Sequence, residues 1–225
     1  MINTVRLLVA FTILALLSRT GQAVHWLDMK MPPIEVDGSL FDVAIELHKI
    51  PLRVCIEDVN LSSEPGLNHI HLKVGGVTLR EFLDQLTNKE PLVAWEEDYF
   101  LMCPLIRIYR KSSLLDPRNP LNIKLKQFSI REDDLIDILH LVYYNSEEFR
   151  KAVNPNGVEK GFFGSRIQGI SSRRFDIRYS LDVDDFSLRE LLNALGCLSV
   201  NHGTSWYFWY DNSKEYPSNF MLKKF

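Results

Sequence analysis

Residues 72–86 read LKVGGVTLREFLDQL, and residues 181–195 read LDVDDFSLRELLNAL. Leu72/Leu181, Val74/Val183, Leu79/Leu188, Arg80/Arg189, Glu81/Glu190, Leu83/Leu192 and Leu86/Leu195 are identical. Two unrelated leucine-rich stretches of this length share only about one or two positions. Val77/Phe186, Thr78/Ser187, Phe82/Leu191 and Asp84/Asn193 differ only within a chemical class. Self-similarity of this kind marks a repeated structural unit.

Each copy reads locally as a strand running into a capped helix. Ile70, Leu72 and Val74 alternate with polar residues, as do Tyr179, Leu181 and Val183, the pattern of a half-buried strand. Thr78 with Glu81, and Ser187 with Glu190, have the spacing of a capping box. Leu79, Phe82, Leu83 and Leu86, and in the other copy Leu188, Leu191, Leu192 and Leu195, follow at helical spacing. The strand segments Leu92–Trp95 and Tyr99–Met102 then suggest a hairpin, matched by Leu198–Val200 and Trp206–Tyr210. Upstream, Ile34 and Val36 form a short strand, Ser39 caps a helix with Leu40, Val43, Ala44 and Leu47 on one face, and Arg53–Ile56 is a second strand. The second copy offers Ile123 and Leu125 as strand, Ser129 with Glu132 as a capping box, and Leu135, Ile138, Leu139 and Val142 as a helix face. The expected class is α+β: two tandem βαββαββ units of about 80 to 100 residues each, toward the low end of domain size.

An exported βαββαββ module whose first helix opens Ser39-Leu40-Phe41-Asp42-Val43-Ala44-Ile45-Glu46-Leu47 and whose second opens "GVTLREFLDQL" resembles the short N-terminal (STN) domain of secretins and TonB-dependent receptors. The resemblance covers residues 33–103 and, more loosely, 175–210. It implies a periplasmic protein–protein interaction module. In that family an outer-membrane barrel or a secretin ring domain normally follows; neither appears in residues 1–225, so the resemblance points to a soluble exported adaptor.

Residues 1–23, MINTVRLLVAFTILALLSRTGQA, read as a signal peptide. Arg6 supplies the positive n-region, Leu7–Leu17 the apolar h-region, and Gly21 and Ala23 the small residues before a cleavage site. No cysteine lies near that site, so no lipoprotein signal is expected. Cleavage removes two arginines and no acid, taking the net charge from −3 to −5. A mildly acidic exported chain is a poor candidate for nucleic acid, and no later apolar run is long enough to cross a membrane. Periplasmic or secreted localisation follows. The expected domains are 24–112 and 113–225, the second with an insertion near 145–174, joined across KSSLLDPRNPLN at 111–122.

The sequence contains no G-x-S-x-G, Walker or H-E-x-x-H signature, so neither enzyme nor cofactor is expected. His69 and His71, two apart in a strand, share a face, and a zinc site would need further ligands. Cys55, Cys103 and Cys197 are an odd set, not a disulfide framework. Cys55 and Cys197 sit among apolar neighbours and read as small buried hydrophobes; Cys55 and Cys103 are a candidate pair within the first copy, and no bridge between copies is expected. A Cys197–His202 nucleophile pair would make the chain a thiol-dependent enzyme, a hydrolase or redox protein, but no third group orients the base.

Two features exceed the repeat. From Arg150 to Arg174 the chain carries six basic residues against Glu159, and it contains Gly161-Phe162-Phe163-Gly164. Long loops of this kind are often functional. Phe162, Phe163, Arg166, Arg173 and Arg174 are therefore candidate contacts for an acidic envelope partner, the alternative being a scaffold extension. The second is Trp206-Tyr207-Phe208-Trp209-Tyr210, whose alternation sends Trp206, Phe208 and Tyr210 to one face and Tyr207 and Trp209 to the other. Trp206 and Trp209 are candidate stacking faces for a glycan or peptidoglycan; a strand with core on both sides is the competing reading. The sequence leaves oligomerisation open.

Overall fold

The computed structural model describes residues 25–50, 52–61, 66–100, 103–133, 135–154, 179–198, 205–212 and 220–224. The protein is α+β. Nine strands are described: β1 Ile34–Gly38, β2 Val54–Asn60, β3 Ile70–Val74, β4 Val93–Phe100, β5 Cys103–Arg110, β6 Phe128–Asp133, β7 Tyr179–Val183, β8 Trp206–Asp211 and β9 Phe220–Lys224. Five α-helices accompany them: α1 Leu40–His48, α2 Leu79–Lys89, α3 Leu135–Asn145, α4 Glu147–Val153 and α5 Leu188–Leu198.

The helix starts follow from the side chains that cap them. Thr78 Oγ1 accepts from Glu81 N at 3.2 Å, and the Glu81 carboxylate accepts from Thr78 N at 2.7 Å. Ser187 and Glu190 make the same reciprocal pair at 3.1 and 2.6 Å, so two orphan amides of each helix are satisfied. Ser39 and Asp42 cap α1 in the same way. A Cβ at Gly38 would lie 2.1 Å from Asp42 Oδ2, so any other residue there would displace the capping carboxylate.

The repeated stretches adopt the same local structure. In β1–β3, Ile34 faces Val74 and Val36 faces Leu72; in β6–β7, Phe128 faces Val183 and Ile130 faces Leu181. The turn before each capped helix passes through a left-handed residue, Gly76 at φ 70° and Asp185 at φ 55°, a region that glycine and aspartate tolerate best. The likeness also reaches further upstream than the sequence suggests. A 3-10 turn at Trp26–Asp28 and another at Pro120–Asn122 each bury one leucine, Leu27 or Leu121. Residues 29–31 and 123–125 then clamp the loop before each helix, with Met31 N on Val77 O at 2.9 Å and Leu125 N on Phe186 O at 2.7 Å.

The sheet, by contrast, is shared. Its order is β4-β5-β2-β8-β9. β2 lies in the middle, parallel to β5 of its own half and to β8 of the other. Expected as two units side by side, the halves instead bury the two faces of one sheet. Val54 and Ile56 point into a first core with α1, α2, β1 and β3; Cys55 and Val59 point into a second with α3, α4, α5, β6 and β7. Residues 54–59 are all buried, as expected of a strand covered on both sides.

Three local expectations are corrected. Ser129 and Glu132 do not cap a helix; they lie within β6, and α3 starts at Leu135. Residues 123–125 make a single bridge, Lys124 to Ser187, and the strand begins at Phe128. Leu198 closes α5 instead of opening a strand. The segment 111–122 is a packed loop, with Asn119 Nδ2 on Ser113 O at 3.0 Å, Asn122 Nδ2 on Asp116 O at 2.8 Å, and Ser113 and Asn119 buried. Residues 1–23, read from the sequence as a signal peptide, lie outside the described residues. Among the described residues no helix is long and apolar enough to cross a membrane.

Candidate functional site

Of the candidate contacts, Phe162, Phe163, Arg166, Arg173 and Arg174 lie outside the described residues. The chain leaves the described region towards them from α4, whose Ser146 side chain caps Phe149 N at 3.1 Å. Beside α4 lies a groove of about 620 Å³, lined among others by Arg118, Lys124, Glu148, Lys151 and Tyr210. Its three cations come from the 111–122 loop, the segment before β6 and α4. Arg118 is paired with Asp116 at 2.7 Å, Lys151 with Glu147 at 2.7 Å, and Lys124 with Glu190 at 3.5 Å. The Lys151 and Glu147 side chains hydrogen-bond each other, which raises the lysine's pKa and lowers the glutamate's. Tyr210 forms part of the wall; its hydroxyl donates to Ala152 O at 3.3 Å, and burial pushes its pKa up. All three cations are well exposed, and each is paired with a carboxylate.

The aromatic strand behaves as core on both faces. Trp206 is 3% exposed and packs with Phe208 and Tyr210 in the second core. Tyr207 is buried in the first core, and Trp209 is half-buried against it. The glycan reading therefore loses Trp206 as a stacking face.

A buried carboxylate on the central strand ties the two halves together. Glu57, on β2, has no exposed surface. Arg189, in the first turn of α5, grips it with both forks, Nε on Oε1 at 2.6 Å and Nη2 on Oε2 at 2.7 Å. Arg107 of β5 approaches Oε1 at 3.5 Å, pairs with Glu96 at 2.7 Å and also engages Asp98. Arg189 Nη1 bonds Asn122 as well. At the matching place in the first half, Arg80 meets Asp28 at 3.3 Å in solvent. The repeated arginine is thus a surface residue in one copy and a buried tie between halves in the other. The only sequence signal was two acids, Glu57 and Asp58, inside the apolar run VCIEDVN.

Asp58 faces the opposite core. It takes Arg110 Nε at 2.7 Å and the Tyr207 hydroxyl at 3.0 Å. Burial, then the Asp58 charge and hydrogen bond, drive the Tyr207 pKa far above its ordinary value. Asp58 and Arg110 line a cavity of about 450 Å³ with Asp42, Asn68 and His69. Both β2 carboxylates are engaged by arginines, and each also reaches the other half, Glu57 through Arg189 and Asp58 through the Tyr207 hydroxyl.

The cysteines overturn an expectation. Cys103, at the start of β5, is bonded to Cys197 near the end of α5, across 94 residues and between the two halves. Cys197 is thus neither a free thiol nor a simple buried hydrophobe, and no Cys55–Cys103 bridge forms; His202, its candidate base, lies outside the described residues. Cys55 is free and buried, and burial first, with Glu57 next, pushes its thiol pKa well up; such a thiol is inert. The physical reason for the miss is the shared sheet: α5 lies across the β4–β5 hairpin of the other half, so the bridging partners come from different copies.

His69 and His71 share a face as expected, and both meet Asp37. Compared with known proteins, the chain matches no family model, no curated protein and no solved structure.

Proposed function

We propose that the chain is an exported, non-catalytic interaction module that docks an acidic partner protein in a bacterial envelope, as an accessory of a secretion or TonB-type signalling complex. The observation that carries this reading is the groove beside α4. Arg118, Lys124 and Lys151 line it, each exposed and paired with a carboxylate, and the chain runs from α4 into a stretch that carries six basic residues against one acid between Arg150 and Arg174. Cations gathered at a concave surface favour an acidic partner and speed its encounter. The STN-like sequence pattern supplies the envelope setting, and the Cys103–Cys197 bridge suits an oxidising compartment.

The test is charge reversal in two places: Lys124→Glu with Lys151→Glu in the groove, and Arg166→Glu with Arg173→Glu and Arg174→Glu in the basic segment. Each set is expected to reduce the partner recovered after crosslinking in intact envelopes, with the melting temperature nearly unchanged, since exposed charges contribute little to folding. Undiminished recovery in both variants overturns the docking reading. Co-sedimentation with isolated cell wall, unaffected by either set, would favour a glycan-binding role instead.

A further inference from the structure

The antiparallel pairing of β1 and β3 sets Asp37 opposite His71 and Gly38 opposite Ile70. His69, two residues before His71, therefore lies diagonally across from Asp37 on the same solvent face, while Ile70 and Leu72 point into the first core. One oxygen, Asp37 Oδ1, meets both rings: His69 Nε2 at 2.7 Å and His71 Nδ1 at 3.3 Å. We propose that Asp37, His69 and His71 are a surface chelate for a borderline divalent cation of the Zn²⁺ or Cu²⁺ type.

The donor set is right for that class. Two neutral imidazoles and a carboxylate suit zinc and copper and disfavour calcium or magnesium, which take oxygen ligands. The two histidine-to-aspartate separations lie within about 0.6 Å of what such an ion requires. Zinc-to-nitrogen and zinc-to-oxygen bonds of about 2.0–2.1 Å put neighbouring donors of a tetrahedral shell about 3.3 Å apart. The His71–Asp37 distance already has that value. The His69–Asp37 distance must open by about 0.6 Å, given the same bond lengths.

As they stand, the three groups are joined by hydrogen bonds, and no set of three such side chains among the described residues is already spaced for a metal. The ion takes the place of those two hydrogen bonds. The side chains are 64–69% exposed, so the adjustment moves solvated rotamers and leaves the strand backbone, fixed by the β1–β3 ladder, in place. Lys73, next along the face, is held away by Glu35 at 2.8 Å, which offsets its charge. Three protein ligands leave the fourth position of a tetrahedral ion to water or to a donor from another molecule.

The experiment uses tag-free protein titrated with ZnSO₄ alone in a non-coordinating buffer, with a chromophoric chelator as competitor. One equivalent is expected to bind. His69→Ala and His71→Ala are each expected to weaken it by more than about tenfold, because even changes one shell beyond the ligands cost that much. With Cu²⁺, electron paramagnetic resonance is expected to show two imidazole nitrogens, falling to one in either variant. Circular dichroism should not change, since the substituted side chains stand in solvent. Zinc binding by the His69→Ala/His71→Ala double variant equal to that of the parent, or no binding by the parent, overturns the proposal.

Discussion

At the scale of single residues, Glu57 has the most at stake. A carboxylate with no exposed surface is tolerated only because Arg189 supplies two charge-assisted hydrogen bonds and Arg107 a second cation. Arg189→Ala leaves that charge with Arg107 alone. The expected loss is about 3–5 kcal/mol, the cost of stranding one partner of a buried pair. Arg189→Lys should recover only part of it, since an ammonium cannot make the bidentate fork. Chemical denaturation of the two variants reads both values, and equal stability of Arg189→Ala and parent would refute the role. The sequence showed this arginine twice but not its task. First-turn Arg-Glu pairs in α2 and α5 read alike, and what separates them is the neighbour. Asp28 answers Arg80 in solvent, while Asn122, a neutral residue at the matching place, leaves Arg189 free to take Glu57.

At the scale of elements, α5 is fixed at both ends. Ser187, Glu190 and Arg189 hold its first turn, and the Cys103–Cys197 bridge ties its last turn to the β4–β5 hairpin. A bridge spanning 94 residues removes much denatured-state freedom, on the order of 4–5 kcal/mol in the chain-entropy account and commonly less in practice. Alkylation followed by peptide mass mapping checks the pairing, since only a Cys103–Cys197 bridge leaves the label of the unfolded, unreduced protein on Cys55. The folded, unreduced protein should take no label, because the one free thiol, Cys55, is buried. The unfolded, unreduced protein should take one label, and the unfolded, reduced protein three. Two or more labels without reductant would rule the bridge out.

Elements were the most legible level of the sequence. Both repeated capping boxes and both helix faces stand where the pattern put them, because caps and periodicity are local. Ser129-x-x-Glu132 shows the limit: the same spacing lies inside β6, where pairing with β7 prevails over a local cap. The bridge was illegible for a related reason. Nothing local to Cys103 or Cys197 says which strands α5 will cover. The candidate groove fared likewise, since Lys151 is distant in sequence from Arg118 and Lys124 and joins them only in the fold.

At the scale of the whole molecule, the repeat and the fold part company. The strand pair and its capped helix recur, yet β8 adds to β2 instead of closing a sheet of its own. Each core consequently borrows from the other half. Tyr207 of β8 is buried in the first core, with Trp209 and Met221 packed against it. Cys55, Val59 and Leu105, from β2 and β5, belong to the second. Halves built this way should not fold alone. Residues 24–112 expressed separately would expose the β2 edge and the second-core face of β2 and β5, an apolar surface bordered by an unpaired strand edge, which invites aggregation. The expected outcome is an expanded or self-associating species lacking near-ultraviolet circular dichroism, as for chains that keep secondary structure without fixed packing. Adding residues 113–225 during refolding under oxidising conditions should restore a defined spectrum and a disulfide-linked heterodimer. A well-dispersed amide spectrum from residues 24–112 alone would show that the first half carries a complete core, and that the shared sheet joins two units already folded.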